Sequence, residues 1–143
     1  MLPQEEFTPP RAHHVAISVR DLDKTVAFYA RLGFAPVLRW GAEDGSLTIT
    51  HLRLGWFLLE VFAYAASAGA PATAPAAGND LEVVGVKHLA LAVDDVVTTR
   101  ARLVAEGLTC TEVVEGRTGL VYCFVRDPDG YWVEVVEDRR HLR

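Results

Sequence analysis

The chain has 143 residues, half of them hydrophobic, and a formal net charge of −5. That length suits one domain with one core, and the acidic balance argues against a nucleic-acid or anionic-membrane partner, which would favour a basic face. No apolar run is long enough to span a bilayer, and the opening Met-Leu-Pro-Gln-Glu-Glu-Phe lacks the basic and apolar regions of a signal peptide, so a cytoplasmic protein is expected.

Residues 1–12 read as a polar, proline-marked tail. His14–Val19 then alternates, with His14, Ala16 and Ser18 on one face and Val15, Ile17 and Val19 on the other, the pattern of a strand with a small face and a bulky face. Asp21 or Asp23 can N-cap a helix running to about Leu32, with Gly33 as its stop. Strands follow at Pro36–Trp40, Leu47–Arg53 and Trp56–Ala63, the last two joined by a tight turn at Leu54-Gly55. Residues 65–81 are dominated by Ala, Gly, Pro, Ser and Thr and read as a linker. Beyond it come a strand at Val86–Val93, a helix at Asp95–Glu106 ended by Gly107, and strands at Cys110–Val114, Leu120–Arg126 and Tyr131–Val136. Asp127-Pro128-Asp129-Gly130 has the composition of a turn. A charged tail closes the chain at Asp138–Arg143.

The two halves repeat at a fixed distance. His14 and His88 are 74 residues apart, as are Asp21 and Asp95, Gly33 and Gly107, and Glu60 and Glu134. The same offset sends His13 to Lys87, which makes His14 the repeating histidine; His51, on the third strand, could face the cavity or solvent, and because its counterpart is Val125 a bland surface or core histidine is favoured. The expected fold is α+β. Two paired βαβββ modules, residues 13–64 and 82–137, make up one domain.

Alternation aims each repeated histidine to the small-residue face of its strand and places Glu60 and Glu134 among largely apolar neighbours. A carboxylate in such company is costly unless paired. Two imidazoles and two carboxylates brought together would make a divalent-metal site from His14, Glu60, His88 and Glu134. A metal-free cluster of His–Glu hydrogen bonds is the plainer alternative. Donor types alone leave Zn, Ni, Co, Mn and Fe open. Tyr64 and Trp132 are either pocket walls or core, and Asp127 and Asp129 are turn formers. Cys110 and Cys123 flank a turn-like segment nearly symmetrically, yet in a cytoplasmic protein free thiols are expected.

The segment from His14-Val-Ala-Ile-Ser-Val-Arg-Asp-Leu to Arg-Leu-Gly33-Phe, and the ending Asp127-Pro-Asp-Gly-Tyr-Trp-Val-Glu134, resemble the vicinal oxygen chelate superfamily. That superfamily includes glyoxalase I, methylmalonyl-CoA epimerase, extradiol dioxygenases, fosfomycin-resistance enzymes and bleomycin-binding proteins. The resemblance covers residues 13–137 and implies an open, curled mixed sheet around a central cavity that holds a metal, a homodimer, and His14, Glu60, His88 and Glu134 on the ligand positions. A complete His/Glu/His/Glu set is similar to bacterial-type glyoxalase I. It implies isomerase or lyase chemistry on a small α-hydroxycarbonyl substrate through a metal-stabilised enediolate, with Glu134 as general base and Glu60 as a ligand or a second base. An Fe(II) dioxygenase and a non-catalytic drug- or metabolite-binding protein are the rival readings. Many glyoxalases I carry Arg four residues after the first metal His and Asn four after the first metal Glu, both holding glutathione. Ser18 and Tyr64 stand there instead, so a substrate other than a glutathione adduct is expected.

Overall fold

In the computed structural model, residues 8–69 and 80–142 are described. Most of the expected linker, the first seven residues and Arg143 lie outside them. The first module runs β1 (His14–Val19), α1 (Leu22–Ala30), β2 (Ala35–Gly41), β3 (Leu47–Leu54) and β4 (Phe57–Tyr64). The second runs β5 (Leu89–Ala92), α2 (Val96–Ala105), β6 (Val114–Glu115), β7 (Val121–Arg126) and β8 (Trp132–Glu137). Each module forms its own four-stranded sheet, ordered β1-β4-β3-β2 and β5-β8-β7-β6. Among the described residues no helix is long and apolar enough to cross a membrane.

The repeat in the sequence is a repeat of local chemistry. Asp21 and Asp95 occupy equivalent N-caps, their Oδ1 atoms accepting the Lys24 and Thr98 backbone N–H at 3.1 and 2.8 Å. Of the two candidate caps in the first module, Asp21 is therefore the one used. Both helices stop before a glycine of positive φ, 96° at Gly33 and 89° at Gly107, a conformation that costs a Cβ-bearing residue. The helices press Phe28, Tyr29, Val96 and Leu103 onto the bulky faces of the sheets, where Leu59, Val61, Val133 and Val135 are buried. These side chains belong to one core shared by both modules.

Each module ends by returning β4 or β8 parallel to the first strand of its module. The registers match: Ala16 pairs with Glu60, and Ala90 with Glu134. Each glutamate thus lies beside an alanine two residues beyond its histidine, on one face of the sheet, and the missing side-chain volume lets the two reach each other.

The modules meet where the β7–β8 turn reaches back to the first module. Arg20 donates through its backbone N and its guanidinium to Asp129 Oδ1, each at 3.1 Å, and Tyr131 Oη donates to the Ser18 carbonyl at 3.0 Å. Tyr29 Oη donates to Asp127 Oδ2 at 3.0 Å, and Arg102 reaches the Arg31 carbonyl at 2.9 Å. The turn residues are as expected, since Asp127 Oδ1 accepts the backbone N–H of Asp129 and Tyr131.

Two expected strands are shorter than their composition suggests. Cys110–Val114 contributes only an isolated bridge at Cys110 and, at its last residue, the start of the two-residue β6. There the Thr111 hydroxyl replaces a backbone partner for Phe124 N at 2.8 Å, and Arg100 occupies the Thr111 carbonyl at 2.7 Å, so the ladder is interrupted. Val86–Val93 is a strand only over Leu89–Ala92, with the Val93 N–H adding one more bond to the Val136 carbonyl at 2.8 Å. Its first residues run past the start of β8, where the Tyr131 backbone N–H is already taken by Asp127. Val84 and Val86 are left fully exposed, and His88 sits just ahead of β5.

Candidate metal centre

In the first module, β1 supplies His14 and β4 supplies Glu60. The His14 Nε2 and Glu60 Oε1 atoms stand 3.9 Å apart, too far for a hydrogen bond. Two ligands on one tetrahedral divalent ion, each at about 2.0–2.2 Å, lie roughly 3.4 Å apart, so this pair already stands near the spacing a cation would set. Behind His14, its Nδ1 lies 2.9 Å from His13 Nδ1, while its Nε2 faces Glu60. Glu60's other oxygen, Oε2, accepts from His51 Nε2 at 2.8 Å.

The missing repeat partner favours a bland role for His51, whereas the structure brings it into contact with Glu60. The signal was in the turn. A two-residue turn at Gly55-Trp56 makes β3 and β4 pair His51 with Glu60 directly. Placing the same turn one residue earlier, at Leu54-Gly55, shifts the register and points attention elsewhere.

In the second module His88 Nε2 lies 2.7 Å from Glu134 Oε2. This pair is closed on itself. To hold a cation the two atoms would part by about 0.7 Å and the metal would replace the proton between them. Glu134 is only 7% exposed, and its surroundings are aromatic. Phe124, its register partner on β7, stands edge-on to His88 with ring centroids 5.2 Å apart, and the Trp132 ring is 5.9 Å from Phe124. The Arg126 guanidinium lies 4.2 Å over the Trp132 ring. His88 and Glu134 open onto a cavity of about 610 Å³ walled by Tyr122, Phe124 and Trp132, with Lys87 and Arg117 also lining it. Trp132 is therefore a pocket wall.

The structure thus unites the sequence-predicted residues as two pairs, His14 with Glu60 and His88 with Glu134. Among the described residues no three His, Cys, Asp or Glu side chains gather into a cluster able to hold a metal. Each pair offers one imidazole nitrogen and one carboxylate oxygen, the donor chemistry of half a divalent site.

The remaining candidates lie apart from these pairs. Ser18 and Tyr64 line a separate cavity of about 280 Å³ with Arg20, Asp129 and Tyr131. Asp127 is buried, and burial raises its carboxyl above the usual aspartate range against the pull of its hydrogen bonds. Tyr29, which donates to it, is likewise raised by burial and by that carboxylate. Cys110 and Cys123 are free thiols, and burial pushes Cys123 up to about 11.

Residues 11–135 match the Glyoxalase/Bleomycin resistance protein/Dioxygenase superfamily. The chain belongs to that superfamily. It is 28% identical over 148 residues to a lactoylglutathione lyase of Schizosaccharomyces pombe, an alignment covering 96% of this chain and 48% of that protein. The chain therefore spans about half the length of that relative. It is 29% identical over 134 residues to the uncharacterized protein YaeR of Escherichia coli, covering 89% of this chain and 95% of that one. Among solved structures, the trypanothione-dependent glyoxalase I of Leishmania major superposes with a TM-score of 0.68 at 26% identity, covering 90% of this chain and 87% of that one. Glyoxalase-superfamily membership agrees with the paired βαβββ modules and the vicinal oxygen chelate resemblance of the sequence.

Proposed function

We propose that this protein is a divalent-metal-dependent enzyme of the lyase or isomerase class, moving a proton on a small α-hydroxycarbonyl substrate. The observation that supports this most is the recurrence of one His–Glu pair at the same register in both modules, His14 with Glu60 and His88 with Glu134. We assign all four as the metal ligands. The separation of the pairs within one chain favours a homodimer in which the first module of one protomer faces the second module of its partner. The exposed Val37, Leu38 and Trp40 of β2 and the exposed Val83, Val84 and Val86 supply apolar surface for such a union. We take the chain to act as one domain, in the cytoplasm, where Cys110 and Cys123 stay reduced.

A bound Zn, Ni, Co, Mn or Fe ion would polarise the substrate oxygens and acidify the neighbouring C–H. The rest falls to side chains. Glu134 is the general base: it takes the proton from the α-carbon onto a carboxylate oxygen and returns it to the adjacent carbon. The Phe124 and Trp132 rings beside it give the carboxylate an apolar wall against which a compact substrate can sit. Glu60 serves as the opposite ligand or a second base. Ser18 and Tyr64 replace the glutathione-holding Arg and Asn of many glyoxalases I, so the substrate is a compact carbonyl compound without a glutathione tail.

The test is solvent-deuterium exchange on a panel of α-hydroxycarbonyl compounds. Label should enter the α position with the native protein, stop after chelation, return with divalent metal, and fall at least 100-fold in Glu134→Gln, the scale of general-base catalysis at about 10²–10⁴. Absence of exchange across the whole panel overturns the reading. Metal-dependent oxygen uptake in its place would support the dioxygenase reading.

A further inference from the structure

The two half-sites share a backbone register and differ in what stands across the strand from each glutamate. Opposite Glu134 is Phe124, which offers no hydrogen bond. Opposite Glu60 is His51, whose Nε2–H donates to Oε2 at 2.8 Å. The bond is part-buried, with His51 and Glu60 side chains 25% and 23% exposed, and it uses the oxygen turned away from the His14 contact. A carboxylate held by one oxygen presents only the other to a cation. Its partner across the site is bonded, among the described residues, only to the imidazole that would itself bind metal.

We infer that His51 is a positioning residue. It fixes Glu60 as a one-oxygen, permanently held ligand and leaves Glu134 as the carboxylate free to leave the metal and carry the proton. This role rests on the metal reading above. Carboxylates that bind metal are commonly oriented in this way, and loss of such a partner weakens metal affinity by about 10–100-fold. The duplicated fold supplies its own comparison: His51→Phe gives the first module the residue type that the second module carries opposite Glu134.

The experiment titrates the purified full chain with Co(II) and Zn(II) against a competing chelator and records the visible spectrum of the Co(II) form. Circular dichroism of the metal-free proteins checks folding. His51→Phe should bind both ions about 10–100-fold more weakly, with a changed Co(II) spectrum as Glu60 swings or binds through both oxygens. His51→Gln, whose amide can still donate to Oε2, should recover most of the affinity and the native spectrum, and it stands as the informative variant if the phenyl ring disturbs folding. Native affinity and spectrum in both variants overturn the inference, as does a metal-bound crystal structure with His51 Nε2 on the ion. If the native protein itself binds neither ion, the metal reading falls, and the two failures are thereby told apart.

Discussion

Tyr29 and Asp127 tie the two modules together through a buried bond, and removing one oxygen atom tests what it is worth. Tyr29 is 1% exposed and Asp127 5% exposed, and the phenol donates to Oδ2 at 3.0 Å. The backbone donors to Asp127, from Asp129 and Tyr131, go to Oδ1 instead. Tyr29→Phe therefore strips a buried carboxylate oxygen of its phenol donor without changing the shape of the core. A hydrogen bond to a charged group contributes about 1.5–3 kcal/mol, so the loss should lie near 2–3 kcal/mol. In a chain of this size that lowers Tm by roughly 6–12 °C.

The deficit should also depend on pH. Burial holds the folded Asp127 pKa above its unfolded value, so this group's contribution to stability is full below the unfolded value and is lost as pH rises through the folded one. The missing phenol raises the folded value further. Tyr29→Phe should therefore lose most at neutral pH and least below the raised folded pKa. Urea unfolding followed by circular dichroism from pH 4 to 8 measures both, and Asp127→Asn completes a double-mutant cycle. A loss below about 0.5 kcal/mol, the range of inert surface changes, or a deficit that does not vary with pH, would show that the phenol does not stabilise the Asp127 carboxylate.

Gly33→Ala and Gly107→Ala separate conformational strain from crowding. Both glycines have positive φ, but an added Cβ at Gly33 would stand 3.1 Å from Leu54 Cδ1, whereas at Gly107 it meets nothing within 4 Å. Each change should cost about 1–2 kcal/mol for backbone strain, with Gly33→Ala the more damaging in thermal melts; equal losses would show that the Leu54 contact is irrelevant. The buried Cys123 thiol, raised to about 11, should react with iodoacetamide at pH 8 far more slowly in the native protein than in urea. Reaction at the unfolded rate, read by mass spectrometry, would contradict its burial.

Much of this fold was legible because duplication makes a sequence its own alignment. The 74-residue offset matched Asp21 with Asp95, Gly33 with Gly107, His14 with His88 and Glu60 with Glu134, and the structure uses the first match as N-caps and the second as helix stops. What the offset cannot find is whatever the two halves do not share. His51 has no repeating partner, and its role depends on a turn position that composition fixes only to within a residue. The lost length of the Cys110–Val114 strand is equally hidden, because it turns on a Thr111 hydroxyl and an Arg100 guanidinium displacing backbone partners. Distances between modules lie beyond periodicity altogether. Alternation says which face a side chain takes, and the meeting of the two faces is set by a handful of contacts from the Asp127–Tyr131 turn.

The unlike neighbours of the two glutamates carry a consequence for how such a protein can change its chemistry. On the proposed metal reading, an imidazole across the ladder from one acid and a phenyl ring across from the other would give two chemically identical groups opposite tasks, one to stay and one to travel. Exchanging only those two ladder neighbours, with every ligand retained, would be the smallest edit able to reverse which side of a substrate loses its proton.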